Sequence, residues 1–294
     1  MPVLTHEITE AETGRTVKSI ALKEMRLSRG WFSSLKFNGG IRLDGESVRA
    51  DQRVQAGQIL SAQWEETQGT SLTPYEAPLR IPWQDEHYFV IDKPAPLPTL
   101  CSARQEGATL ENVLFSYLKC PENYLFRPVN RLDKGTSGLM AAAKNAHAAQ
   151  RLQRQLHTDA FVREYLAVVE GWMAGEGVID APIAKADGAT VKRGVDFERG
   201  RPAVTHYQVE VTGEKHSLVR LRLQTGRTHR IRVHLAHLGH PIAGDFLYGR
   251  ELPELPGRFA LHSTYIRLTH PVTGEVIERE SPLPEALAAL LEDE

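Results

Sequence analysis

Residues 130–138 read Asn130-Arg131-Leu132-Asp133-Lys134-Gly135-Thr136-Ser137-Gly138 and run directly into the apolar stretch Leu139–Ala143. This is a polar loop feeding a buried strand, and the glycines at 135 and 138 permit tight backbone geometry beside the acid. Loops held by a rigid scaffold commonly carry function. Taken alone, though, an Asp in a Gly-rich loop is more often a turn former or a cap. Gly135-Thr136-Ser137-Gly138 has neither the glycine spacing of a serine nucleophile elbow nor the Gly-Lys-Ser/Thr ending of a phosphate loop. Neither reading fits.

Outward from this loop, strand signals fall at 87–91, 164–169, 205–211 and 217–223. Several alternate at period two, as half-buried strands do. Helical stretches are expected over Thr109–Leu118, Ala146–His157 and Thr228–Leu238. Helices occur among the strands without a regular βαβ rhythm. The fold class is therefore α+β, on a mixed, largely antiparallel sheet spanning residues 81–294. Residues 67–80 are polar with Gly and Pro and read as a linker.

Residues 1–66 form a separate small α/β block. Val17, Ile20, Ala21 and Met25 recur at helical spacing. Ser28 is a candidate N-cap for a second helix whose Trp31, Leu35 and Phe37 are expected to face inward. Asn38-Gly39-Gly40 stops that helix, and the turn Asp44-Gly45 predicts a hairpin. Between Gly14 and Leu60 stand nine Lys or Arg against four acids, a net of +5, whereas residues 251–294 carry a net of -6. The overall charge of -2 hides this asymmetry. Helix, helix and hairpin with basic residues around the second helix resemble the S4 RNA-binding module. That resemblance implies Arg29, Lys36 and Arg42 near phosphates.

No apolar run approaches the roughly 20 residues that cross a membrane. Met1 to Glu10 lack a basic patch followed by an apolar stretch, so the expected location is the cytoplasm. Cys101 and Cys120 are too few for a disulfide framework or a cysteine zinc site.

Four further segments accompany the 130–138 loop: Val90 to Pro98, Phe161 to Gly171, Leu223 to Asp245, and Leu261-His262-Ser263 with His270-Pro271 beyond. In this order and spacing the five resemble the RluA-type family of RNA pseudouridine synthases, over nearly all of residues 81–284. The resemblance implies that Asp133 is the catalytic carboxylate, Arg227 its arginine partner and Tyr165 an active-site ring that stacks on the uracil. It implies Leu261 as an apolar pocket residue. Arg131 and Lys93 are expected RNA contacts, and Arg227, Arg230 and Arg232 a basic rim for the RNA backbone. The family's commonest form has His where this chain has Asn130, which marks a subfamily and loosens any transfer of substrate from His-bearing relatives.

His229, His234, His237 and His240 invite a zinc reading, but no nearby carboxylate or cysteine completes a tetrahedral site. No metal is expected. Uridine isomerisation is close to redox- and energy-neutral, so no cofactor is implied. The expected partner is structured RNA, with large-subunit ribosomal RNA favoured and transfer RNA the other choice. A monomer without an obligatory protein partner is the default. The competing function is a catalytically inactive S4-type RNA-binding or regulatory protein. The joint presence of Asp133, Tyr165 and Arg227 argues against it, since a decayed enzyme is expected to lose at least one.

Overall fold

The computed structural model describes residues 3–27, 29–64, 72–100, 107–122, 124–156, 158–186, 188–189, 191–223 and 228–292. The chain divides into two compact units, residues 1–70 with 122–125, and residues 71–121 with 126–294.

In the first unit the order is β1 (Val3–Glu7), α1 (Val17–Lys23), α2 (Arg29–Phe37), β2 (Ile41–Leu43), β3 (Glu46–Ser47) and β4 (Ile59–Gln63). The strands pair antiparallel in the order β1-β4-β2-β3. Thr16 caps α1 by accepting from the Ser19 amide. Ser28, the expected cap of α2, lies outside the described residues. Val17, Ile20, Ala21 and Met25 share one core with Phe32, Leu35, Ile41 and Leu60.

Phe37 departs from expectation: it is 91% exposed, and Phe32 is buried instead. Phe32 and Leu35, three residues apart, share a helix face, whereas Phe37 lies about 140° round from Phe32. In the β2–β3 turn Asp44 and Gly45 both take positive φ, 51° and 84°, as a two-residue type I′ hairpin demands.

The second unit runs β5 (Arg80–Gln84), β6 (Tyr88–Lys93), α3 (Leu110–Tyr117), β7 (Arg127–Pro128), β8 (Ser137–Ala143), α4 (Ala146–Gln155), β9 (Phe161–Glu170), β10 (Glu176–Asp180), β11 (Ile183–Lys185), β12 (Arg193–Val195), β13 (Val204–Val211), β14 (His216–Leu223), α5 (Arg230–His237), β15 (Leu261–Thr269), β16 (Val276–Glu280) and α6 (Glu285–Ala288). Its large sheet has the order β10-β13-β14-β9-β15-β8-β6-β5, with β16 beside β15 and β7 beside β8. Pairing is antiparallel except where β8 meets β15 through Ser137–His262 and Gly138–Ser263. That mixed, largely antiparallel sheet is the fold class read from the strand periodicity.

Local chemistry places the helices. Thr109 caps α3 reciprocally with Asn112, and Asn145 caps α4 by accepting from the Ala148 amide. All seven residues of β8 are buried, because strands flank it and the sheet is covered there by a core containing Tyr88, Leu139, Leu152, Phe161 and Ile266. Gly138 sits at φ +104°, and any side chain on it would collide with the Ser263 backbone. The β8–β15 contact therefore requires glycine at this position.

Candidate active site

Asp133 stands in the loop leading into β8, and its surroundings pin that loop from both sides. Thr99 Oγ1 donates to the Leu132 carbonyl at 2.7 Å, and the Leu97 amide to the Lys134 carbonyl at 2.9 Å. The Thr136 amide turns back onto the Asp133 carbonyl at 3.1 Å. Asn130 ties the loop to the strand, its Oδ1 accepting from the Ala141 amide at 3.0 Å. The Asp133 side chain keeps 33% of its surface open.

Two side chains from around α5 reach the carboxylate. Arg232 Nη1 lies 3.5 Å and His229 Nε2 3.8 Å from Asp133 Oδ2. Arg232 is itself buried and held by Asp245, which accepts from Nε at 2.7 Å and from Nη2 at 2.8 Å. Its guanidinium lies 4.2 Å from the Phe259 ring centre and 5.0 Å from that of Tyr248. Such a bidentate, ring-stacked fork has little freedom to swing. Gly135 belongs to the same assembly, because a Cβ there would stand 2.6 Å from the Phe259 ring.

His229 takes a left-handed backbone, φ 58°, immediately before α5. Its Nδ1 lies 3.0 Å from the Tyr248 hydroxyl, which accepts the Arg193 amide at 2.9 Å. A neutral ring that accepts this hydroxyl's proton at Nδ1 would carry its own on Nε2, the nitrogen nearest Asp133. Burial pushes the His229 imidazole below the ordinary histidine value, with Asp133 pulling the other way.

Asp133, Tyr165, Leu261, Arg131 and Arg230 all line one cleft of about 680 Å³. Arg163, Lys134, His229 and Arg232 line it too, so Asp133 is the only carboxylate among the described lining residues. Tyr165 projects from β9 and is 5% exposed, and Leu261 opens the neighbouring β15. Arg227 lies outside the described residues. Arg29, Lys36 and Arg42 are exposed on the first unit.

Two expectations for basic residues change. Lys93 is fully buried at the end of β6 and does not line the cleft, so it is not a surface RNA contact. Its ammonium instead donates to the Leu97 and Pro94 carbonyls at 2.7 and 3.0 Å, bracing the segment that pairs with Lys134. Burial pushes it down to about 7, while Asp133 pulls it up. Two of the three expected rim arginines, Arg230 and Arg232, also turn inward. Helix α5 is buried nearly all round, so Arg230 and Arg232 are 2% and 3% exposed, and Arg230 Nη1 donates to the Val204 carbonyl at 3.2 Å.

Of the histidines that suggested zinc, His234 is engaged by its own fold. His234 Nε2 donates to the Ala181 carbonyl and Nδ1 accepts from Thr205 Oγ1, both at 2.9 Å. The roles of Arg232, Asp245, His229 and Arg163 were not read from sequence. Their segments were visible, but a buried ion pair between a helix and a following loop leaves no periodic trace.

A model of the RNA pseudouridylate synthase family matches residues 87–237, half of the chain. An uncharacterized RNA pseudouridine synthase of Bacillus subtilis, YjbO, is 36% identical over 283 residues, covering 95% of this chain and 99% of its own. The ribosomal large subunit pseudouridine synthase D of Xanthomonas campestris is 37% identical over 303 aligned residues, covering 97% of this chain and 90% of its own. Among solved structures, human RNA pseudouridylate synthase domain containing 1 superposes with a TM-score of 0.59 at 28% identity, over 72% of this chain and 87% of that one. With sequence and fold in agreement, the chain belongs to the RNA pseudouridylate synthase family.

Proposed function

We propose that this RNA pseudouridine synthase modifies selected uridines of large-subunit ribosomal RNA, with Asp133 as the carboxylate that acts on the ribose. One observation carries the reading: among the described residues a single acid, Asp133, stands in a cleft lined by Arg131, Lys134, Arg163, Arg230, Arg232 and His229, with Tyr165 and Leu261 beside it. Basic walls suit a polyanion, and an aromatic ring suits an extruded base.

The reaction breaks the C1′–N1 bond, turns the uracil and joins C1′ to C5, after which the C5 proton leaves. Asp133 attacks C1′ or removes a proton from the sugar, and both routes detach the base. Tyr165 stacks on the flipped ring, Leu261 packs against that tyrosine, and Arg131 holds the opened strand. Flipping costs a few kcal/mol, less in a loop. The resemblance gives Arg227 as the partner of Asp133, a residue outside those described, and Arg232 is a further cation at the carboxylate, 3.5 Å from Oδ2.

The first unit acts as an S4-like clamp through Arg29, Lys36 and Arg42, all exposed. The ribosomal target follows the names of the relatives, with transfer RNA the other choice. The enzyme works as a cytoplasmic monomer, and among the described residues no helix is long and apolar enough to cross a membrane. Tritium release from RNA labelled at C5 of uridine tests the reading: Asp133→Asn abolishes release while RNA binding stays within a few-fold. Full release by that variant sinks the assignment.

A further inference from the structure

Among the described residues, Arg163 is a buried cation without a matching anion. It lies on β9 two residues before Tyr165, so both side chains project from the same face of the strand and both line the cleft. Their backbones stand about 6.6 Å apart, two residues' rise along a strand, which is the scale separating a nucleobase from its own phosphate.

Only 7% of Arg163 is exposed, yet no carboxylate lies within ion-pair distance of it among the described residues. Its Nη2 makes a long 3.4 Å bond to the Leu156 carbonyl, its Nε is buried with no partner, and its guanidinium leans on the Phe161 ring at 5.4 Å. The contrast with Arg232 is direct, since that buried arginine has Asp245. A buried guanidinium with unspent donors is costly unless an anion arrives. Its planar fork matches the two non-bridging oxygens of a phosphate diester.

We propose that Arg163 binds a backbone phosphate at the target nucleotide, anchoring the strand so that the base reaches Tyr165 and the ribose reaches Asp133. The proposal rests on the reading of this cleft as the uridine-isomerising site. It assigns a substrate-binding role, separate from the chemistry of Asp133.

The test uses the full chain and ribosomal RNA carrying C5-tritiated uridine, prepared from cells that lack this enzyme. Tritium release by wild type, Arg163→Lys and Arg163→Gln is followed against RNA concentration at several salt concentrations. Arg163→Gln is expected to raise KM by roughly 10- to 100-fold, the range of a lost charge-assisted hydrogen bond. Its kcat changes far less, and the slope of log(kcat/KM) against log salt falls by about 0.7–0.9, one phosphate contact. Arg163→Lys keeps that slope with a smaller rise in KM, and it serves alone should the glutamine variant not fold. An unchanged KM and slope in Arg163→Gln overturn the proposal, as does Arg163→Lys indistinguishable from wild type where that variant stands alone. A loss confined to kcat overturns it equally. If wild type releases no tritium, the isomerase reading and this proposal both fall, whereas an active wild type with an unaffected variant removes the phosphate role alone.

Discussion

Arg232 stands 3.5 Å from the Asp133 carboxylate, yet it is Asp245 that holds the guanidinium, through two bonds of 2.7 and 2.8 Å. Asp245 is fully buried, and its Oδ1 also accepts from the Leu247 and Tyr248 amides. Position at the candidate catalytic acid is thus set one residue away from it.

Replacing Asp245 with Ala leaves a buried arginine whose remaining carboxylate is the partly exposed Asp133 at 3.5 Å. We expect a loss of about 3–5 kcal/mol in unfolding free energy, the usual cost of breaking a buried pair from one side. Urea denaturation reads it as a lower midpoint. A midpoint within error of wild type would show that Arg232 has found another partner.

Gly135→Ala tests the same assembly from the opposite side. Its new methyl group meets the Phe259 ring and forces that ring off Arg232. We expect about 1–3 kcal/mol of destabilisation from overpacking. We also expect a fall in kcat larger than the change in RNA affinity. Unaltered kcat would mean that the stacked ring plays no part in orienting Arg232.

Lys93 gives a pH signature. Its folded value of about 7 lies below the ordinary 10.5, so the unfolded chain binds the extra proton between those limits. The burial penalty is fully present below pH 7 and is relieved as pH rises, so stability climbs through that window. Between pH 7 and 9.5, wild type should gain on Lys93→Met by up to a few kcal/mol. Parallel stability curves for the two proteins would contradict this.

His229 works in the acid direction. Burial lowers its folded value below that of the unfolded chain, so stability is lost as pH falls through the ordinary histidine range toward the folded value. His229→Gln should flatten that part of the stability profile in thermal unfolding measured from pH 7 to pH 5. A variant as acid-sensitive as wild type there would assign the loss to other groups.

The first unit predicts a salt effect. Exchanging Arg29, Lys36 and Arg42 together for Gln should reduce the salt slope of RNA binding by about 2–3, one contact each. The melting temperature should hold, because all three side chains are exposed. An unchanged slope would mean that this face does not meet RNA.

Much of the fold was legible because its signals are local. The helical stretches Thr109–Leu118 and Ala146–His157 hold α3 and α4, Asp44-Gly45 announces the hairpin turn, and β14 alternates buried Val219 and Leu221 with outward Arg220 and Arg222. Phe37 shows the limit. Its spacing from Trp31 and Leu35 suggested an inward face, and Phe32 took the core position instead.

From the chain alone came the α+β class and the basic first block, which depend on residues that are neighbours in sequence or recur at a fixed period. The five ordered segments supplied a family resemblance, and that resemblance implied Asp133, Tyr165, Arg227 and Leu261. Only the folded molecule showed that Arg232 stands 3.5 Å from Asp133, that Lys93 is a buried brace, that Arg230 and Arg232 turn inward, and that no carboxylate among the described residues pairs with Arg163. Each of those outcomes is a balance of desolvation against pairing between distant segments. That balance exists only once β8, β9, β15 and α5 have closed around one cleft.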